Sequence, residues 1–234
     1  MDAAEQSVVD GVRGLCGDAR YSDLTITCGS KVFNVHKAVV CTQSRYFEAA
    51  VKDCFQEGTE SKITLDRGEN VEDISRDDHE DAIQCMIDFL YGKPQYHCRG
   101  QSEDTSLSWL AVLYITADRY GIDKMRSAIV AKFGTMTAKL PAIYSSSTRF
   151  DRTHLVGIPA LLKFIYIGLP YNDHSMKDAL IQWLVHKSPC LLYSETMEDL
   201  LEEEPEFGVD LARSLRAKHC SPPSKHQGDV LLGG

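Results

Sequence analysis

The sequence predicts an α+β fold, in which a small sheet with surrounding helices is followed by a small all-helical C-terminal region. Strand-like alternation of apolar residues is confined to the first third of the chain, in "DLTITCGSKVFNV" and "KITLD". Beyond residue 82, apolar residues recur at helical spacing. A chain of 234 residues can hold one domain of about 110 residues and a smaller companion.

The first predicted element is a short N-terminal helix with one apolar stripe. Val8, Val12 and Leu15 recur at helical spacing before a break at Gly17. An isolated amphipathic helix is marginal in water, and closed twofold dimers are the commonest assembly. We therefore expect a second copy of the chain to cover this stripe, with about 1.5 to 3 kcal/mol gained for each aliphatic side chain buried.

A β-hairpin and two short helices follow. Leu24, Ile26 and Cys28 alternate as in a half-buried strand, and Gly29-Ser30 is a pair favoured by type II′ hairpin turns. The second strand leads into a short helix at His36. Ser44 then has the character of an N-cap, with Glu48 in the first turn of the next helix.

The remaining elements set the domain boundaries. "KITLD" is a third strand, the acidic stretch 66–81 is a solvated loop, and three helices follow, of which the first ends at Gly92. Ser175 and Asp178 have the spacing of a capping box for a later helix. We predict an N-terminal dimerisation helix segment (1–20), a main domain (21–135), a linker (136–153), a helical region (154–218) and a disordered tail (219–234).

Composition restricts the classes of partner. A hydrophobic content of 43% and a charged content of 25% are those of a globular protein. A formal charge of −9 disfavours nucleic acid, whose binding surfaces are basic. We expect no signal peptide and no membrane span, and hence a cytoplasmic or nuclear protein with reduced thiols.

No constellation of residues predicts catalysis. The phosphate-loop, dinucleotide-binding and nucleophile-elbow motifs are missing from the sequence, and its eight cysteines include no C-x-x-C pair. The alternative class is an enzyme or metal protein that uses His36, Cys41 or the pair His97-Cys98. Because no partner residues have the required spacing, we expect no catalytic site, cofactor or metal.

Four stretches together resemble the BTB/POZ family. They are the string F-x-V-H-K-x-V-V-x-x-x-S-x-x-F from Phe33 to Phe47, the preceding "YSDLTI", "FLYG" at 89–92, and "YITADRYGIDKMRSAIVAKF" at 114–133. The resemblance covers about residues 5 to 135 and departs from the family in the acidic loop. The remaining helices are similar to the C-terminal helices of fungal-type BTB proteins. The resemblance implies a BTB/POZ fold and a non-enzymatic, homodimeric protein-interaction module.

The resemblance also implies specific partners and residues. It suggests an adaptor that bridges a cullin-based ubiquitin ligase to a protein substrate; the alternative is a dimerising scaffold or transcriptional cofactor that binds no cullin. Phe55 and Glu57 match the hydrophobic-x-Glu motif of cullin-binding members, although Phe55 could instead close the domain's own core. Asp23 and Lys37 match charged positions near the family's dimer interface, and we expect them to lie close together.

Overall fold

A computed structural model describes residues 2–52, 61–65, 80–94, 96, 107–140, 152–193 and 195–219. Within these ranges there are three strands: β1 (Leu24–Cys28), β2 (Lys31–Val35) and β3 (Lys62–Leu65). The same ranges contain ten α-helices: α1 (Ala3–Gly14), α2 (Lys37–Val40), α3 (Arg45–Ala50), α4 (Glu80–Leu90), α5 (Leu107–Arg119), α6 (Asp123–Lys139), α7 (Arg152–Gly168), α8 (Lys177–Lys187), α9 (Glu195–Glu203) and α10 (Pro205–His219). A 3-10 helix, Pro189–Tyr193, lies between α8 and α9.

The sheet is mixed, with strand order β2-β1-β3. β1 pairs with β2 in an antiparallel hairpin and with β3 in parallel. At the hairpin turn, φ is +53° at Gly29, whereas Ser30 has no positive φ. Positive φ at only the first turn residue fits a type II′ turn and excludes type I′. The predicted hairpin is therefore confirmed.

The core of the N-terminal domain lies between one face of the sheet and the helices α4, α5 and α6. Alternate residues of β1 are buried, as are the inward stripes of the three helices. Fully buried residues from these elements include Ile26, Ile83, Leu110, Ile129 and Phe133. Each such side chain contributes about 1.5 to 3 kcal/mol by leaving water.

The C-terminal helices extend this core. α7 packs against α5, and α8 packs against α6. Ile165, Leu184 and Phe207 are fully buried in the same apolar cluster as the sheet residues. The predicted arrangement, a small sheet with helices followed by a helical region, is the observed one.

Two local predictions were wrong. Ser175 does not cap α8, which begins at Lys177 with Met176 at the N-cap position and no side-chain cap. Instead, the Ser175 amide donates to the side chain of Asp173. Glu80 and Asp81 were placed in the acidic loop but form the first turn of α4, where acidic side chains are favoured by the helix dipole.

The predicted linker overlaps helices at both of its ends. α6 continues past residue 135 to Lys139, and α7 begins at Arg152. Residues 66–79 of the predicted loop, 141–151 of the linker and 220–234 of the tail lie outside the described residues. Among the helices in the described ranges, none has the length and hydropathy needed to cross a membrane.

Candidate protein-interaction surface

The N-terminal helix α1 begins with a complete capping box. The Glu5 amide donates to the Asp2 carboxylate at 2.8 Å, and the Asp2 amide donates to the Glu5 carboxylate at 2.9 Å. These bonds satisfy amide groups that the first helical turn leaves without partners. The helix therefore has a defined start independent of tertiary contacts.

The apolar stripe of α1 is divided between the domain and the solvent. Val12 and Leu15 are partly buried against the core, whereas the Val8 side chain is 68% exposed. No residue of α1 is fully buried. Within the described chain, an aliphatic stripe that the sequence predicts to be covered is thus only half covered.

Polar contacts fix the C-terminal end of α1 against α4. The Arg13 guanidinium donates from Nε to the Gly92 carbonyl at 2.8 Å, and the Cys16 thiol lies 3.4 Å from the Asp88 carboxylate. Asp88 itself is buried. These contacts fix the orientation of α1 relative to the domain, and with it the position of Val8.

His36 holds the start of α2 in place. Its backbone amide donates to the Tyr91 hydroxyl at 2.8 Å, its Nδ1 lies 2.8 Å from the same hydroxyl, and its Nε2 lies 2.8 Å from the Arg20 carbonyl. A carbonyl only accepts, so we assign the proton to Nε2 and a bond from the Tyr91 hydroxyl to Nδ1. Burial is the main cause that raises the pKa of Tyr91 to about 12, so the phenol remains a donor at neutral pH.

The side chain of Asp23 contacts the backbone of Lys37. The Asp23 carboxylate accepts from the Lys37 amide at 2.7 Å, which satisfies an unpaired amide at the start of α2. The Lys37 ammonium donates to the Ser61 hydroxyl at 3.0 Å. Asp23 is exposed and Lys37 is half-buried. The contact positions both residues at the surface, beside the junction of sheet and α2.

The cullin-binding motif expected from the sequence falls at Phe55 and Glu57. Both residues lie outside the described residues, which stop at Lys52 and resume at Ser61. Their proposed role therefore stays a prediction.

A polar junction joins the N-terminal domain to the loop before α8. The Asp173 carboxylate accepts from the Tyr114 hydroxyl at 2.7 Å and from the Arg126 guanidinium at 2.9 Å. Burial raises the pKa of Asp173, but the bonds from Tyr114 and Ser175 and the charge of Arg126 outweigh it, so this pKa lies below its usual value. Asp173 is ionised at neutral pH and ties the helical region to α5 and α6.

A second ionic cluster lies wholly within the C-terminal helices. The ammonium of Lys177, whose side chain is fully buried, donates to both carboxylate oxygens of Glu206 at 2.9 and 3.0 Å. Glu206, His174 and Asp210 have potential metal-ligating atoms within 4.8 Å of one another. Because the ammonium already occupies both Glu206 oxygens and adds positive charge, the arrangement fits an ion-pair network and not a cation site.

These features define a class of fold: a small mixed sheet enclosed by helices, with a partly exposed amphipathic helix at one end. The family model for the BTB/POZ domain matches residues 15–135, and the chain belongs to the BTB/POZ family. BTB/POZ domains are interaction modules and are generally non-enzymatic. The match confirms the resemblance drawn from the string between Phe33 and Phe47.

Several structurally important residues were not singled out from the sequence. Tyr91 lies in the quoted "FLYG", but nothing local indicates its bonds to His36. Lys177 could have been found, since it lies on the same helical stripe as Leu180, Ile181 and Leu184, where a lysine needs a buried partner. Its partner Glu206 is too distant in sequence for spacing to identify.

Proposed function

We propose that this chain is a homodimeric, non-enzymatic adaptor whose BTB/POZ domain recruits a protein substrate to a cullin-based ubiquitin ligase. The observation that carries the self-association is the exposed Val8 on a helix that is otherwise fixed to its own domain. Exposing a valine side chain to water is unfavourable, and burying it in a twofold interface lowers the free energy.

The charged pair Asp23 and Lys37 offers a second contribution to self-association. Both are at or near the surface beside α2, and neither side chain forms an ion pair with the other within the described chain. The Asp23 carboxylate keeps acceptor capacity beyond its bond to the Lys37 amide. A partner copy with twofold symmetry would present the same two charges in return.

The self-association is tested by light scattering with Val8→Lys. We expect the wild-type chain to have twice the 26.1 kDa chain mass at micromolar concentration, and the variant to be monomeric. Val209→Lys is a matched control, because Val209 is also a helical, exposed valine but lies on α10. If wild type is monomeric, or if both variants dissociate equally, the proposed interface is wrong.

The adaptor role is tested by calorimetric titration with the N-terminal region of a cullin. We expect Phe55→Ala and Glu57→Ala each to weaken binding, with the aromatic truncation costing about 2 kcal/mol or more. Circular dichroism and light scattering must show that the fold and the dimer remain intact. Glu202→Ala serves as a control, because it removes an exposed carboxylate on α9 and leaves the capping box of α1 intact.

The alternative function, a dimeric scaffold or transcriptional cofactor, makes the opposite prediction for the cullin. Under this alternative, the wild-type protein has the mass of a dimer and binds no cullin at tens of micromolar. The alternative also expects Phe55→Ala to unfold the domain if that ring closes the core. These outcomes separate the two functions without affecting the assignment of the dimer.

A further inference from the structure

The outer edge of β2 has no strand beside it in the described part of the chain. Among the described strands, β2 is the last in the order β2-β1-β3 and pairs with β1 alone. The Thr25 amide donates toward β3, to the Ser61 carbonyl at 3.0 Å. The alternate residues of β1 therefore direct their backbone groups towards β2. The pairs are Leu24 with Val35, Ile26 with Phe33, and Cys28 with Lys31.

The intervening residues of β2, Val32 and Asn34, consequently direct their amides and carbonyls outward. None of these groups has a hydrogen-bond partner among the described residues. Val32 is 63% exposed and Asn34 is exposed. An open edge without proline or a bulge is a template for another strand.

A groove follows this edge, with α4 as its second wall. Glu80 at the start of α4 accepts from the Ser30 amide at 2.8 Å, and Tyr91 after its end accepts from the His36 amide. The helix thus runs beside β2 along its full length. The groove has a volume of about 500 Å³, and its walls are β2 residues 31–34, Gln84 and Ile87 of α4, and Cys16 at the end of α1.

The charged side chains that line the groove restrict its occupant further. Lys31 lies 2.6 Å from Asp81, so its ammonium is already paired. Lys93 also lines the groove, is exposed, and forms no ion pair with any described residue. Asp88 also lines the groove, but its side chain is buried and bonded to Cys16 and Gln84. A carboxylate of the occupant would therefore meet the exposed charge of Lys93.

We propose that the outer edge of β2 binds an extended, acidic peptide segment of a partner protein as an added strand. Main-chain hydrogen bonds to Val32 and Asn34 provide the affinity, as in other cases of strand addition. Side chains on one face of the added strand lie against Gln84 and Ile87, and a carboxylate meets Lys93. This site adjoins the C-terminal end of α1 at Cys16, does not include Val8, and does not depend on cullin binding.

The test uses a fluorescein-labelled synthetic peptide of alternating valine and glutamate, titrated with the full chain in fluorescence polarisation. Asn34→Pro removes the outward amide at that position without removing a bond to β1. We expect it to weaken binding at least about tenfold, because one main-chain bond is lost and the ring obstructs its neighbour. Asn34→Thr keeps the amide and should bind within about twofold of wild type.

Two further probes do not depend on the folding of Asn34→Pro. The same peptide N-methylated at two adjacent residues cannot present either edge, and we expect it not to bind, whereas Lys93→Gln should weaken the unmethylated peptide. Equal binding of the methylated peptide, or of Asn34→Pro with an intact fold, overturns the proposal. A change in oligomeric mass of Asn34→Pro would assign the edge to a second copy and also overturn it.

Discussion

One buried polar cluster in the N-terminal domain and one in the C-terminal helices are satisfied in different ways. In the domain, His36 pairs with the neutral Tyr91 hydroxyl and the Arg20 carbonyl, and the buried Ser44 hydroxyl donates to the Tyr120 carbonyl at 2.6 Å. In the C-terminal helices, the buried Lys177 ammonium pairs with the carboxylate of Glu206.

The difference determines how each region responds to the loss of one partner. A neutral group that loses its hydrogen bond costs about 1 to 3 kcal/mol, whereas a buried charge that loses its counter-charge costs about 3 to 5 kcal/mol. We therefore expect the loss of a partner at Lys177 to cost more stability than the loss of a partner at His36.

The largest effect is expected for Lys177→Met. The substitution leaves the Glu206 carboxylate without its ammonium, and we expect the free energy of unfolding of the C-terminal helices to fall by about 3 to 5 kcal/mol. Urea denaturation followed by circular dichroism, with hydrogen exchange to locate the loss, measures this. The double variant Lys177→Met with Glu206→Gln should recover most of the stability.

Lys163→Met is the matched control for that prediction. Lys163 pairs with Glu203, but both side chains are about half exposed, so solvent already screens the pair. We expect little change in its unfolding midpoint. If Lys163→Met destabilises the chain as much as Lys177→Met, burial does not explain the cost of losing the charged partner.

A smaller effect, about 2 kcal/mol, is expected for Tyr91→Phe. Removing the hydroxyl leaves the His36 amide and Nδ1 without their shared partner inside the domain. Since the pKa of Tyr91 is raised to about 12, the loss should be equal at pH 7 and pH 9. Urea denaturation at the two pH values is the measurement; a loss confined to one of them contradicts this hydrogen-bond assignment.

The smallest effect, about 1.5 kcal/mol, is expected for Asp173→Asn at neutral pH, because Arg126 is partly exposed. The pKa of Asp173 is lowered from 3.8, so its contribution is present above that pH and is lost as the pH falls through the folded-state value. The stability difference between wild type and variant should therefore shrink below pH 3.8. A difference that grows on acidification would contradict the assignment.

Local chemistry made part of the fold predictable. The Gly29-Ser30 turn follows from alternation and a glycine, and Ser44 was correctly predicted as an N-cap, since its hydroxyl accepts from the Phe47 amide. Ser175 was wrongly predicted as a cap. Its amide, which a capping box would pair with Asp178, instead donates to Asp173, two residues earlier. No local pattern in the sequence shows that competition.

The candidate site was predictable only in part for the same reason. Val8, Val12 and Leu15 follow from periodicity, but how the stripe divides between domain and solvent depends on Arg13 reaching Gly92, far along the chain. Likewise, the burial of Lys177 depends on Glu206, which belongs to another helix. Contacts between distant residues are set by packing, which single-sequence patterns do not encode.

The central claim, that a second copy covers α1, is tested most directly by hydrogen exchange of the α1 amides at a series of protein concentrations. In a single copy, α1 contributes few buried contacts and its amides should exchange rapidly. We expect α1 to be protected at high concentration, and Val8→Lys to remove this protection while the sheet stays protected. Exchange of α1 at the rate of an uncovered helix at the highest concentration would contradict it.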